Sequence, residues 1–244
     1  MIWGDSYAQH LVAGIIGASN KAPEIIQATS GACGPLIGLA AVKTDAGYND
    51  AWARSCIKFN DSVLDYLKQA NSVEYVVLSS PFGRYVDHTF EGLLHRDATG
   101  EYRNIAIGVD PAVEAMKITV EKVRAMGKKV VLIAPPPTGG FNAGLCVERL
   151  DTGLPIIGVA DSCRISPEAR MSAEGEVLNF LHQVAGRAGI NVIGFEPVLC
   201  STGPCDTHLE GILVYQDAGH LTYEGSALLG RRLDLLKQIE RQAR

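Results

Sequence analysis

Three residues near the two ends of the chain have the types and spacing that nucleophilic catalysis requires. Ser6 ends a Trp-Gly-Asp-Ser motif, and Asp217 and His220 form an Asp-x-x-His motif before the last predicted helix. A serine hydroxyl is a weak nucleophile at neutral pH and needs a base, and histidine has a suitable pKa range. A carboxylate can hold the imidazole in the required tautomer. The pattern therefore predicts a Ser-His-Asp site.

The position of Ser6 favours the same chemistry. It follows a short apolar run, Ile2–Gly4, and precedes a predicted helix, Tyr7–Ala13. Ligands of open parallel sheets bind at the carboxyl ends of the strands, and N–H groups at a helix N-terminus favour a developing negative charge. Each motif alone has a simpler interpretation, because Ser or Asp can cap a helix and Asp-x-x-His can be a surface turn. Their occurrence together, in the order Ser, Asp, His, favours catalysis.

Short apolar runs alternate with helical patterns, which predicts an α/β fold with a mostly parallel sheet and helices on both faces. The predicted strands are Ile2–Gly4, Glu24–Ala28, Tyr75–Leu78, Lys129–Ala134 and Asn191–Gly194. The predicted longer helices are Asp50–Gln69, a helix from Asp110 to about Met126, one from Ser166 to about Gly189 and one from Thr222 through Ile239. No change in composition marks a boundary, so we expect one domain over residues 1–244.

The first predicted strand is short, since only Met1–Gly4 precede the turn. A central strand normally has about five residues, so we expect the chain to be a piece of a longer protein. A short native first strand is the alternative.

Two long segments, Ser79–Gly108 and Pro135–Ser166, are predicted to be loops, and long loops often have a function. In the first, His88 and His95 could bind a metal with nearby carboxylates, although their irregular spacing favours a solvated loop. Aromatic residues of the same segment could stack on sugar rings or pack the loop; they are Phe82, Tyr85, Phe90 and Tyr102.

The composition excludes several classes of function. Hydrophobic residues make up 47% of the chain and charged residues 20%, which excludes disorder as its main state. The net charge is −5 and the basic residues are scattered, so we expect no nucleic-acid partner. The longest uncharged stretches are interrupted by Gly and Pro, and we identify neither a membrane span nor a signal peptide.

Six cysteines, an even number, fit three disulfides in an oxidising compartment. The simplest pairing is sequential: Cys33 with Cys56, Cys146 with Cys163, and Cys200 with Cys205. Buried free thiols are one alternative, because cysteine is often buried as a small apolar residue. A zinc site that uses Cys200, Cys205 and His208 is another, although no Cys-x-x-Cys pair supports it.

The chain resembles the SGNH, or GDSL-type, hydrolase superfamily, in which Gly-Asp-Ser follows the first strand and Asp-x-x-His lies near the C-terminus. It is most similar to one branch, the SGNH domains fused to membrane acyltransferases of family 3, which O-acetylate bacterial surface glycans such as lipopolysaccharide O-antigen. The resemblance spans essentially the whole chain. The motifs that carry it are Trp3-Gly4-Asp5-Ser6-Tyr7-Ala8, Cys33-Gly34-Pro35-Leu36, Cys200…Cys205 and Leu213-Val214-Tyr215-Gln216-Asp217-Ala218-Gly219-His220-Leu221-Thr222.

This resemblance implies a flavodoxin-like, three-layer α/β/α sandwich and a catalytic triad. Carried over by motif position, Ser6 is the nucleophile, His220 the general base and Asp217 its orienting acid. The resemblance also implies a periplasmic location, with a membrane acyltransferase domain fused upstream. We expect no cofactor and no metal.

The resemblance also implies oxyanion donors, a Gly after the second strand and an Asn after the third. Gly31 can fill the first position. The third strand lacks the Gly-x-Asn pattern, so we expect a polar side chain, Ser80 or Arg84, to substitute. The histidine that usually follows Gly-Asp-Ser is Tyr7 here, which would line the acyl pocket.

The predicted reaction transfers an acyl group, most simply acetyl, from an acyl donor to Ser6 and then to a hydroxyl of a glycan acceptor. With water as acceptor, the same site is an esterase. The triad does not separate the two reactions, because they differ in acceptor binding and water exclusion. A glycan-binding module without catalysis is an alternative from another class.

Overall fold

Strands and helices alternate through most of the chain in the computed structural model, which describes residues 1–19, 23–156 and 162–243. In chain order they are β1 (Ile2–Gly4), α1 (Ser6–Gly17), β2 (Gln27–Thr29), β3 (Leu39–Val42), α2 (Asp50–Gln69), β4 (Tyr75–Ser79), α3 (Gly83–Val86), β5 (Gly92–Arg96), β6 (Tyr102–Ile105), α4 (Val109–Ala125), β7 (Lys129–Ile133), α5 (Ala143–Asp151), α6 (Pro167–Arg187), β8 (Val192–Ile193), α7 (Glu196–Leu199), β9 (His208–Leu209), β10 (Ile212–Leu213), α8 (Tyr223–Leu233) and α9 (Leu235–Gln242).

The central sheet has five parallel strands in the order β2-β1-β4-β7-β8. Among the strands of this sheet alone, that is the order 2-1-3-4-5 of the flavodoxin-like folds. Successive side chains of a strand point to opposite faces, so a sheet covered on both sides has apolar residues throughout its strands. The predicted α/β/α sandwich is confirmed.

Two layers of helices cover the faces of this sheet. Helices α2, α4 and α6 pack on one face, which includes Trp3 and Leu78. Helices α1, α8 and α9 pack on the other, which includes Ile2 and Val77. The Trp3 indole N–H donates to Asn60 Oδ1 at 2.9 Å, so the one polar atom of this buried ring has a partner. The short β1 is therefore held from both sides.

Helices α1 and α8 approach each other very closely. A Cβ atom on Gly230 would lie 1.9 Å from the carbonyl oxygen of Gly14, and a Cβ on Gly14 would lie 2.9 Å from the carbonyl oxygen of Ser226. The Ser226 hydroxyl donates to the carbonyl oxygen of His10 at 2.5 Å. Only glycine permits this backbone contact between the two helices.

The predicted loop Ser79–Gly108 is wrong, because it contains α3, β5 and β6. Strands β5 and β6 form a hairpin, and β5 pairs with the distant β3 to complete a three-stranded antiparallel sheet. The turn of the hairpin is closed by Asp97, whose Oδ1 accepts from the N–H groups of Thr99 at 2.9 Å and Glu101 at 3.1 Å. This Asp-x-Thr-Gly turn was the signal that could have predicted the hairpin.

Other boundaries also differ from the prediction. The predicted loop Pro135–Ser166 contains α5, whose first turn is capped by Asn142, and residues 157–161 of this loop lie outside the described residues. The predicted last helix is broken at Asp234, which has a left-handed backbone with φ of 50°. The second strand begins at Gln27 rather than Glu24. The predicted first helix is longer at both ends.

The sequential disulfide pairing is confirmed, with bonds Cys33–Cys56, Cys146–Cys163 and Cys200–Cys205. Because Cys200 and Cys205 are joined, neither has a thiolate for the alternative zinc site with His208. Within the described residues, every helix is too short or too polar to serve as a membrane-spanning segment.

The α1–α8 contact gives a prediction for stability. Gly230→Ala is expected to lower the free energy of unfolding by roughly 1–3 kcal/mol, because its methyl group must push two helix backbones apart. Gly186→Ala is the control, since a Cβ on this glycine of α6 meets nothing within 4 Å. The control substitution should instead raise the free energy of unfolding by up to about 1 kcal/mol, because alanine favours a helix more than glycine does. Urea denaturation measures both, and equal effects would contradict the proposed close contact.

Candidate active site

The structure brings together the three residues of the predicted triad. Ser6 Oγ lies 2.8 Å from His220 Nε2, and His220 Nδ1 lies 2.8 Å from Asp217 Oδ2. Ser6 is the first residue of α1, and His220 lies three residues before α8. The close packing of these helices thus joins residues that are 214 positions apart. A chain of hydrogen bonds from hydroxyl to imidazole to carboxylate can activate a serine.

The turn that carries Asp217 and His220 is held by its own backbone. Asp217 Oδ1 accepts from the N–H groups of Gly219 at 2.9 Å and His220 at 2.8 Å. Burial opposes ionisation of Asp217, but these two donors and the His220 ring outweigh it and lower the pKa of the carboxyl group. Asp217 is therefore a carboxylate at neutral pH and is aimed at the imidazole.

Tyr7 packs against this turn. Its ring centroid lies 4.6 Å from that of His220, and a Cβ on Gly219 would lie 2.0 Å from the Tyr7 hydroxyl oxygen. Burial, with the charges of Asp217 and Asp5, raises the pKa of Tyr7, so its hydroxyl stays neutral. Gly219 therefore leaves the space that Tyr7 needs beside the imidazole.

Asp5 directly precedes Ser6 and fixes the start of α1. Its Oδ1 accepts from the N–H of Tyr7 at 2.9 Å and caps α1, while its Oδ2 accepts from the Ser80 hydroxyl at 2.7 Å. The carboxyl group is fully buried, and burial raises its pKa against the opposing effect of these hydrogen bonds. The N–H of Ser6 begins the helix and has no intrahelical acceptor.

The structure changes the interpretation of Ser80. Its side chain is fully buried and its hydroxyl hydrogen is directed to Asp5, so it does not offer a donor beside Ser6. We therefore regard Ser80 as a positioning residue for Asp5, in place of the oxyanion-donor role expected from the sequence.

Gly31 and Arg84, the other residues considered as oxyanion donors, lie next to one turn beside the end of β1. The Ser30 N–H donates to the Gly4 carbonyl oxygen at 3.1 Å, which ties the Gly31 turn to β1. Gly31 is exposed, and its N–H has no acceptor among the described residues. Arg84 Nη1 donates to the Ala32 carbonyl oxygen at 2.7 Å, which places the guanidinium next to this turn.

His10 supports the triad turn from α1, a role that no sequence motif marks. The Leu221 N–H donates to His10 Nδ1 at 3.2 Å, and the His10 ring lies 5.1 Å from that of Tyr7. Burial, reinforced by nearby His220, lowers the pKa of His10 to about 3. The ring is therefore neutral, with its proton on Nε2 when Nδ1 accepts.

The aromatic residues of segment Ser79–Gly108 do not share one role. Phe82 and Tyr85 are fully buried, so stacking of these two rings on a sugar is wrong; the Tyr85 hydroxyl accepts from the Gly34 N–H at 2.8 Å. Tyr102 packs near the Cys33–Cys56 disulfide. Phe90 alone of the four lines a cavity beside His220.

Among the described residues, no group of three or more His, Cys, Asp or Glu could hold a metal ion, the His88 and His95 segment included.

Two cavities meet at His220. The first, of about 590 Å³, contains Ser6, and its lining includes the Asp217 carboxylate together with the uncharged amides of Gln9, Gln27 and Gln216. The second, of about 330 Å³, has charged side chains; its lining includes Tyr7, Arg84, Phe90 and Glu174. Glu174 is buried and paired with Arg170, and burial raises the pKa of its carboxyl group. No sequence motif pointed to Glu174.

Residues 1–234 match the family described as SGNH domain (fused to AT3 domains). The chain belongs to this family. A solved structure, the periplasmic domain of a lipopolysaccharide acetyltransferase from Salmonella ser. Paratyphi A, is similar to this SGNH domain with a TM-score of 0.63. The two are 21% identical, and the match covers 93% of this chain and 78% of that chain. At this identity the likeness shows a shared fold. Comparison with the curated proteins finds no match.

The neutral state of His10 predicts an acid-dependent loss of stability. Below about pH 6.5 the ring takes up a proton in the unfolded chain but not in the folded one, until the pH reaches about 3. Stability therefore falls as the pH falls through this window. In His10→Gln this contribution is absent. The free energy of unfolding of this variant should therefore change less steeply with pH in this window, by up to about 1.4 kcal/mol per pH unit.

Urea denaturation at several pH values measures this slope for the wild type and His10→Gln. His88→Gln, which removes an exposed histidine, is the control. Parallel profiles for the wild type and His10→Gln would show that the folded protein protonates His10 as readily as the unfolded chain does.

Proposed function

We propose that this SGNH domain transfers an acyl group, most simply acetyl, from a donor to Ser6 and then to a hydroxyl of a bacterial surface polysaccharide. The observation that carries the proposal is the hydrogen-bonded chain Ser6–His220–Asp217, with both contacts at 2.8 Å. The buried Asp5 and the turn at Gly219 hold the two ends of this chain, so its geometry is preorganised.

In the first step, His220 Nε2 accepts the Ser6 proton while Ser6 Oγ attacks the acyl carbonyl carbon of the donor. The carbonyl oxygen becomes negative in the tetrahedral intermediate. When the intermediate collapses, the bond to the leaving group breaks and the leaving group takes the proton from His220. Asp217 stabilises the imidazolium that exists between these two proton transfers. The product is acyl-Ser6.

In the second step, the sugar hydroxyl gives its proton to His220 Nε2 while its oxygen attacks the acyl carbon. The second intermediate collapses with cleavage of the bond to Ser6 Oγ, which regains the proton from His220. The sugar leaves as an ester and the site returns to its starting state. Water can replace the sugar in this step.

The oxyanion needs hydrogen-bond donors that are in place before the reaction. We propose the N–H groups of Ser6 and Gly31 as two donors. The guanidinium of Arg84, tethered to Ala32 beside Gly31, is proposed as the third. It would replace the Asn that the sequence lacks, because Ser80 is committed to Asp5.

We further propose that the domain acts outside the inner membrane, beside an AT3 membrane domain that supplies the acyl group. The family description, in which SGNH domains are fused to AT3 domains, supports this partnership. Three disulfides support an oxidising compartment such as the periplasm. The lipopolysaccharide acetyltransferase with the same fold supports a surface glycan as acceptor.

An esterase is the second candidate, and the open character of the Ser6 cavity favours it. Side chains of Asp217 and His220 remain 41% and 33% exposed, so water can reach acyl-Ser6. Transfer then requires that a bound sugar competes successfully with water.

The test offers p-nitrophenyl acetate with and without an oligosaccharide acceptor and identifies products by mass spectrometry. Ser6→Ala is expected to abolish product formation above background. Asp217→Asn should lower the rate by roughly 10³–10⁴-fold, because the imidazole loses its orienting carboxylate.

Acetylated sugar that depends on Ser6 would support the transferase, whereas free acetate alone would favour the esterase. Equal rates for the wild type and a folded Ser6→Ala variant would contradict both candidates. Asp234→Asn is a suitable control for loss of one carboxylate, because this residue lies in the bend between α8 and α9.

A further inference from the structure

We infer that the Ser6 cavity binds an uncharged sugar ring of the acceptor, stacked on Tyr223 and hydrogen-bonded by Gln9 and Gln216. This inference rests on the proposed acyl transfer to a glycan and adds which sugars the site accepts and how it holds them.

Tyr223 is an exposed aromatic side chain at the mouth of the active site. It is 71% exposed, yet it lines the same cavity as Ser6 and His220. It is the first residue of α8, and the preceding Thr222 caps this helix by accepting from the Gly225 N–H at 2.9 Å. The backbone that carries Tyr223 is therefore fixed three residues from His220. A rigid aromatic ring offers a flat apolar face at low entropic cost, which suits the C–H face of a sugar ring.

Gln9 and Gln216 supply the polar part of the cavity. Gln9 lies one turn after Ser6 on α1, and Gln216 lies directly before Asp217. The N–H of Gln216 donates to the His220 carbonyl oxygen at 2.8 Å, so its backbone belongs to the triad turn. Neither side-chain amide has a partner among the described residues. Each offers both a donor and an acceptor, the combination that neighbouring sugar hydroxyls can satisfy.

The charges of the cavity favour an uncharged ring. Its lining contains neither lysine nor arginine among the described residues, and its carboxylate, Asp217, is held by His220. A sugar carboxylate bound among these lining residues would lose water without gaining a cation, because Arg84 lines the second cavity and is proposed to bind the oxyanion. It would also approach the negative charge of Asp217. The second cavity differs, because Arg84 lies there. Acidic sugars are therefore expected to be poor acceptors at Ser6.

The experiment measures the ratio of acetylated sugar to free acetate, with p-nitrophenyl acetate as donor. A neutral oligosaccharide and a uronic-acid oligosaccharide of equal length are compared as acceptors. Tyr223→Ala should lower the ratio with the neutral acceptor by about tenfold, through a higher KM for the sugar. Tyr223→Phe keeps the ring and should retain most of the wild-type ratio. Gln216→Ala should also lower the ratio.

Tyr66→Ala removes another exposed tyrosine, which lies on α2 outside the Ser6 cavity, and should leave the ratio unchanged. If Tyr223→Ala matches the wild type, or if the uronic-acid acceptor is used as well as the neutral one, this inference is wrong although Ser6-dependent transfer stands. Absence of Ser6-dependent products in every reaction would instead show that the proposed function is wrong and would remove the basis of the inference.

Discussion

Helices α1 and α8 meet at Gly14 and Gly230, and the distance between Ser6 and His220 depends on this contact. Ser6 begins α1 and His220 precedes α8, so any change in helix spacing moves the nucleophile relative to its base. Two hydrogen bonds reinforce the same interface, since His10 accepts from the Ser226 hydroxyl at its carbonyl and from the Leu221 N–H at its ring. The helix packing that closes one face of the sandwich is thus also the scaffold of the site.

Asp5 provides a second constraint, at the end of β1. Its buried carboxyl group joins the start of α1 to the segment after β4 through the Tyr7 N–H and the Ser80 hydroxyl. The segment after β4, where the resemblance implied an oxyanion donor, here supports the turn that carries Ser6 through the Ser80–Asp5 hydrogen bond. Because the Ser80 hydroxyl donates to Asp5, Arg84 is the side chain of this region that we propose as the third donor.

The central sheet and the proximity of Ser6, His220 and Asp217 could be predicted from sequence because their signals are local. Each buried strand is a short apolar run, and the residues of the triad stand in two compact motifs. The small sheet could not be predicted in the same way, because β3 pairs with β5 although α2, β4 and α3 lie between them in the chain, and neither strand has a motif. The partners of Ser80, the burial of Phe82 and the cavity at Tyr223 arise from packing between distant segments. The sequential disulfides were the exception, since a simple rule of order predicted them correctly.

Covalent labelling of Ser6 tests the central claim most directly. The wild-type protein and His220→Gln would be treated with a fluorophosphonate, and the modified peptide would be identified by mass spectrometry. We predict a single adduct on Ser6 in the wild type and labelling slowed by at least about 10³-fold in His220→Gln, because the hydroxyl loses its base. An adduct on a different serine, or labelling of Ser6 at the same rate in both proteins, would contradict the triad.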